Sequence, residues 1–107
     1  MVKVLITGAT GNVGIEVISA LKNINHQLEI YAGVRDIEFG NEGLTSFDIK
    51  KIKFDFTNSE TFVPALHTID LLFLLRPPQI SDVNKYFEPL IEIAKKSLIK
   101  HIVFLSV

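Results

Sequence analysis

A strand that runs without pause into three evenly spaced glycines, and then into a helix, constrains this chain more than anything else in it. Residues 4–14 read VLITGATGNVG. Val4, Leu5 and Ile6 are buried-strand sequence. Gly8, Gly11 and Gly14 recur at every third position, and helix-compatible residues follow at once. In such a unit the first glycine permits a tight turn, the second lets a pyrophosphate approach the main chain, and the third lets the helix pack close to the strand. The leading N–H groups of the helix lack partners within it and its dipole end is positive, so a phosphate is favoured there. The spacing is G-x-x-G-x-x-G rather than the G-x-G-x-x-G of the dinucleotide fingerprint. The extra residue widens the loop but keeps the helix end facing the ligand. No Lys-Ser or Lys-Thr follows the glycines, which rules out a P-loop. A tight βα turn without a ligand is the alternative reading.

The remainder of the chain alternates short apolar runs with amphipathic stretches. Val2 to Thr7, Leu28 to Val34, Ile49 to Phe54, Ile69 to Leu75 and Ile102 to Val107 read as strands. Asn12 to Lys22 reads as a helix with Val13, Val17, Ile18 and Leu21 on one face. Residues 37–46 show no clear period and read as a loop or a short irregular helix. Thr57 with Glu60 three residues on reads as a capping box for a short helix ending near Leu66. Ser81 is placed to cap a helix reaching about Ser97, with Val83, Phe87, Leu90, Ile91, Ala94 and Leu98 inward. Pro89 falls inside it, and a proline costs roughly 3 kcal/mol in a helix interior, so a kink or restart is expected there.

This alternation implies an α/β fold, a Rossmann-like doubly wound parallel sheet with helices on both faces. Right-handed crossovers and the nucleotide-type first turn favour strand order 3-2-1-4-5. The 107 residues suit one domain, residues 1–107. Because the sequence stops on an apolar strand, it is expected to be the N-terminal part of a longer chain.

Composition narrows the function classes. Hydrophobic residues make up 48% and charged residues 21%, the balance of a globular protein. A formal net charge of −1 offers no field for nucleic acid or an anionic membrane. Lys50, Lys51 and Lys53 are the one cationic cluster and read as a solvated strand edge. Cysteine is absent, which excludes disulfides, thiolate catalysis and cysteine-ligated metals. His26, His67 and His101 lack metal-ligand spacing and read as surface or strand-edge residues, so no metal site is expected. No apolar run approaches the ~20 residues needed to cross a bilayer. A cytoplasmic location is the expectation.

The full string TGATGNVG, Thr7 to Gly14, resembles the TGxxGxxG motif of extended and atypical short-chain dehydrogenases/reductases. Over its whole length the chain is most similar to the NmrA-like group of NAD(P)-binding proteins. GVRD at 33–36, FDFTN at 54–58, LLFLLRPP at 71–78 and KHIVFLSV at 100–107 fall where that group has recurring segments. The resemblance implies a dinucleotide held by Gly8, Thr10, Gly11, Asn12, Val13 and Gly14. It also implies that Asp55 accepts from the exocyclic amine of adenine, with Phe56 flanking the base; a turn-forming or capping aspartate is the alternative reading of Asp55.

Arg35 lies just past the second strand, where the residue that reads the adenosine ribose is expected. An arginine fork suits a 2′-phosphate, whereas an acidic residue would take the 2′-hydroxyl, so NADP is favoured with NAD as the alternative. Asp36 is a competing candidate for the hydroxyl role or a partner for Arg35, and a solvated Arg-Asp turn is a further reading. Leu75 and Arg76 end the fourth strand beside the point where strand order reverses, and so should border the cofactor. An exposed Arg76 without a ligand is the alternative.

Ser106 stands where catalytic relatives place a serine beside a Y-x-x-x-K helix. No such tyrosine–lysine pair exists in this sequence, because Tyr31 is followed by Arg35 and Tyr86 by Leu90. No catalytic residue is therefore assigned. The leading expectation is an oxidoreductase moving hydride between NADP(H) and a small carbonyl or quinone-like substrate. The alternative is a non-catalytic NmrA-like redox sensor that binds the dinucleotide and a protein partner.

Overall fold

A computed structural model describes residues 2–8, 12–24, 27–35, 49–56, 58–75, 83–97 and 99–105. Its elements alternate along the chain: β1 (Val2–Thr7), α1 (Asn12–Ile24), β2 (Leu28–Val34), β3 (Lys50–Lys53), a 3₁₀ turn (Ser59–Thr61) running into α2 (Phe62–Leu66), β4 (Leu71–Leu75), α3 (Val83–Lys96) and β5 (His101–Leu105). The strands form one sheet in the order β3-β2-β1-β4-β5, and every neighbouring pair is parallel. This is the order expected from the sequence. The irregular segment at 37–46 lies outside the described residues.

Each strand of the middle of the sheet is apolar on both faces, as burial under helices on both sides requires. Val4 and Ile6 of β1, Ile30, Ala32 and Val34 of β2, and Leu75 of β4 pack on one side with Ile18 of α1. Leu5, Leu72 and Leu74 face the other side with Phe62, Ala65 and Leu66 of α2 and Phe87, Leu90 and Ala94 of α3. A row of rings binds this second layer together. Phe54 meets Phe56 edge-on at 4.9 Å and stacks on Phe62 at 5.4 Å. Phe56 stacks on Phe87 at 4.9 Å, and Phe87 meets Phe104 of β5 edge-on at 5.4 Å. Gly33 is a packing requirement of this sheet. A Cβ there would lie 3.2 Å from Phe54 Cβ and 3.3 Å from the Ile6 carbonyl oxygen, inside ordinary contact distance.

Two local expectations change in detail. Of the kink or restart expected at Pro89, the restart does not occur: α3 runs as one element from Val83 to Lys96. Pro89 sits on the exposed face, while Phe87, Leu90 and Ala94 are buried, so apolar packing outweighs the single main-chain donor that proline lacks. The cap before α2 is also displaced. Asn58, not Thr57, leads the 3₁₀ turn, and its side chain accepts from the Glu60 N–H at 3.1 Å. A short Asn side chain readily reaches the N–H two residues on, which fixes the turn at this residue. Thr57 itself lies outside the described residues.

Candidate functional site

In an all-parallel sheet the carboxyl ends of the strands lie along one edge. Here Gly8 follows β1, Arg35 follows β2, Phe54 to Phe56 follow β3, and Leu75 closes β4. The chain runs from β1 outward to β2 and β3, then crosses back to β4, so strand order reverses between β1 and β4. A crevice opens at such a reversal beyond the strand ends. Gly8 and Leu75 stand on its two sides.

Gly8 has φ 64°, the left-handed region that favours glycine. A Cβ at this position would lie 3.4 Å from both Leu75 Cβ and the Leu75 carbonyl oxygen. The missing side chain therefore matters for the turn, while a Cβ would sit in contact with the end of β4. Helix α1 begins four residues later at Asn12, with Gly14 buried in its first turn. Its free N–H groups consequently start near the end of β1. Thr10 and Gly11 lie outside the described residues, and Asn12 and Val13 enter here only as main chain of α1.

A residue outside the sequence-derived set holds the crevice's two walls together. Thr7 is fully buried, and its hydroxyl accepts from the Leu75 N–H at 3.0 Å. The same hydroxyl donates towards the Phe73 carbonyl at 3.2 Å, with the Leu75 carbonyl at 3.4 Å as the alternative acceptor. Direct main-chain pairing of β1 with β4 extends from Val4–Leu71 to Ile6–Phe73. The Thr7 side chain continues the connection one residue further, where the ligand edge begins. A hydroxyl directly after the apolar run Val4–Ile6 was the available signal, but its acceptor and donor lie 66 and 68 residues away.

At the far side of the edge Asp55 is half-buried on a turn pinned through its main chain. The Asp55 N–H donates to the Thr61 hydroxyl at 3.1 Å, and the Asn58 N–H donates to the Asp55 carbonyl at 3.0 Å. Thr61 Oγ1 in turn donates to the Asn58 carbonyl at 2.8 Å. Phe56 is buried against Phe54 and Phe87, so it anchors this turn to the aromatic layer beneath. Arg35 is exposed in the bend after β2. Gly8, Gly14, Arg35, Asp55, Phe56 and Leu75 are thus placed along one end of the fold. Asp36, Arg76 and Ser106 lie outside the described residues.

A tyrosine and a lysine do meet in space, but at the opposite end. Tyr31 donates to Glu29 Oε1 at 2.6 Å, Lys50 bridges to the same oxygen at 3.1 Å, and Lys50 Nζ lies 5.7 Å from the centre of the Tyr31 ring. Glu29 and Lys50 sit at the amino-terminal parts of β2 and β3. The hydrogen bond to Glu29 raises the Tyr31 pKa and lowers that of Glu29, with Lys50 reinforcing the latter. A phenol so held keeps its proton more firmly than a free tyrosine does. This cluster stabilises a sheet corner and takes no part in the ligand edge. Among the described residues no group of three His, Cys, Asp or Glu is arranged to hold a metal, and no helix is long and apolar enough to cross a membrane.

Residues 2–107 match the NmrA-like family. The chain is 33% identical over 104 residues to the prestalk A differentiation protein A of Dictyostelium discoideum, a match covering 97% of this chain and 35% of that protein. It is 27% identical over 103 residues to the uncharacterized oxidoreductase YesF of Bacillus subtilis, covering 96% of this chain and 33% of that one. In structure it is similar to the NADPH-dependent quinone oxidoreductase QOR2 of Escherichia coli complexed with NADPH. The TM-score is 0.82 at 26% identity, over 94% of this chain and 35% of that chain. The chain thus spans about a third of the length of these relatives.

Proposed function

The chain belongs to the NmrA-like family, and from that membership we propose that it is the cofactor-binding part of an NADP(H)-dependent oxidoreductase acting on a small carbonyl or quinone-like substrate. The observation that carries the proposal is the left-handed turn at Gly8, which ends β1 beside Leu75 at the strand reversal and directly before α1. A ligand that must touch main chain fits such a turn, and a pyrophosphate beside the start of α1 is that ligand. The similarity to a quinone oxidoreductase bound to NADPH supports the choice of dinucleotide and of substrate class.

Under this reading each wall has one task. Gly8 and the first turn of α1, with Thr10, Gly11, Asn12, Val13 and Gly14, receive the pyrophosphate. Asp55 accepts from the adenine amine, and Phe56 forms the apolar floor under the base. Arg35 takes the 2′-phosphate with its planar, permanently charged fork. Leu75 and Arg76 border the central ribose. The cofactor, when bound, supplies hydride transfer, and the protein supplies its placement.

The test is a pair of dissociation constants for NADPH and NADH, measured on the chain and on Arg35→Ala. NADPH should bind more tightly, and Arg35→Ala should weaken NADPH by about tenfold while leaving NADH nearly unchanged, the size of one charge-assisted phosphate contact. Equal affinities in the unaltered chain, or an equal loss for both ligands in the variant, would sink the assignment.

A further inference from the structure

Strand β3 carries lysines at three of its four positions, and they do not have the same surroundings. Lys50 is tied to Glu29. Ile52 packs into the layer under α2 and α3, as does Phe54 just past the strand. Side chains alternate along a strand, so Lys51 and Lys53 project from the opposite face, the side on which α1 lies. Ile49 confirms the alternation, because it packs with the α1-side cluster. Both lysines are exposed, and neither makes an ion pair with a described residue.

Their positions along the strand differ in a way that matters. Lys51 is paired with Ala32, in the body of β2. Lys53 is paired with Val34, the last residue of β2, directly before Arg35. The Phe54 N–H donates to the Val34 carbonyl at 2.8 Å, which holds the two strand ends together up to the point where Arg35 departs. A flexible four-carbon stem on Lys53 therefore starts one strand away from Arg35, at the ligand edge, with no described carboxylate holding it.

We infer that Lys53 is a second cation for the ribose 2′-phosphate, acting beside Arg35 to set the preference for NADPH over NADH. The inference rests on the reading of Arg35 given above. A 2′-phosphate carries close to two negative charges near neutral pH, and one guanidinium leaves it only partly neutralised. Lys53 supplies the remaining point charge, while Arg35 supplies the planar fork. Lys51 shares the face but lies two residues further from the edge, so it serves as an internal control.

The experiment measures NADPH and NADH affinities of the chain and of Lys53→Met, Lys51→Met and Arg35→Ala, with circular dichroism to confirm folding. Lys53→Met should weaken NADPH by about fivefold, leave NADH within experimental error, and flatten the loss of NADPH affinity with added salt. Lys51→Met should match the unaltered chain. If Arg35→Ala removes the preference while Lys53→Met leaves it intact, the Lys53 inference fails and the Arg35 reading stands. An equal loss for both dinucleotides in Lys53→Met also overturns it, because the lysine then acts elsewhere. If the unaltered chain shows no preference, the Arg35 reading fails and carries this inference with it.

Discussion

Replacing Thr7 with valine removes one oxygen and keeps the shape of the side chain, which makes it the sharpest probe of the crevice. The Thr7 hydroxyl is the acceptor for the Leu75 N–H at 3.0 Å and a donor to the Phe73 carbonyl at 3.2 Å. Thr7 has no exposed surface, and Leu75 is 5% exposed, so water cannot replace the lost partner. An unsatisfied buried N–H costs about 1–3 kcal/mol, and the added methyl returns roughly 0.8 kcal/mol of apolar burial. With the carbonyl also losing its donor, a net loss of about 2 kcal/mol is expected. Folded domains of this size gain close to 2.1 cal/mol/K of unfolding entropy per residue, so Tm should fall by roughly 9 °C. Thr7→Ser keeps the hydroxyl and loses only a methyl, so its fall should be about half as large. Thermal unfolding followed by far-ultraviolet circular dichroism measures both variants. Since the hydroxyl joins the two walls of the ligand edge, NADPH affinity should drop in Thr7→Val and be largely restored in Thr7→Ser. A Thr7→Val protein at least as stable as Thr7→Ser would refute the reasoning, because the hydroxyl would then contribute no more than a methyl.

Two further outcomes follow from the same geometry. Gly8→Ala forces an L side chain into φ 64° against Leu75, so it should cost about 1–2 kcal/mol in urea unfolding and abolish tight NADPH binding. An unchanged denaturation midpoint would argue against the turn geometry. Glu29 has a lowered pKa, caused first by its hydrogen bond from Tyr31 and then by Lys50, so its contribution to stability is present above the ordinary carboxylate pKa and is lost as pH falls through the folded-state value. Comparing Tm with Glu29→Gln from pH 7 downward should show a difference that shrinks as pH falls through and below the ordinary carboxylate range; a difference that grows towards acid would contradict it.

Much of the architecture is local in origin and therefore legible in the residues. The continuous apolar runs of β1 and β2, the glycine turn and the helix after it are set by chemistry within a few positions of each residue. Handedness then restricts how parallel strands connect, which is why the order β3-β2-β1-β4-β5 could be expected. The lysines of β3 likewise announced an exposed edge strand. Local pattern placed Pro89 inside a helix, as found, but left open a restart that does not occur. Local propensity counts a lost hydrogen bond, but not the buried stripe of Phe87, Leu90 and Ala94 that holds α3 in place.

The candidate site divides along the same line. The residues alone place three glycines between a strand and a helix, the pattern from which a phosphate cradle was expected. They also marked Arg35 and Asp55 as residues just beyond strand ends. What holds these pieces along one edge came from the folded chain. Thr7 reaches the end of β4, Thr61 and Asn58 fix the turn that carries Asp55, and Phe56 sinks into the aromatic layer beneath. The folded chain alone brought Lys53 level with the end of β2. These are contacts between segments far apart in the chain or set by sheet register. A residue's own neighbours encode its propensity for strand or turn, but its hydrogen-bond and charge partners exist only once the sheet has brought distant strand ends side by side.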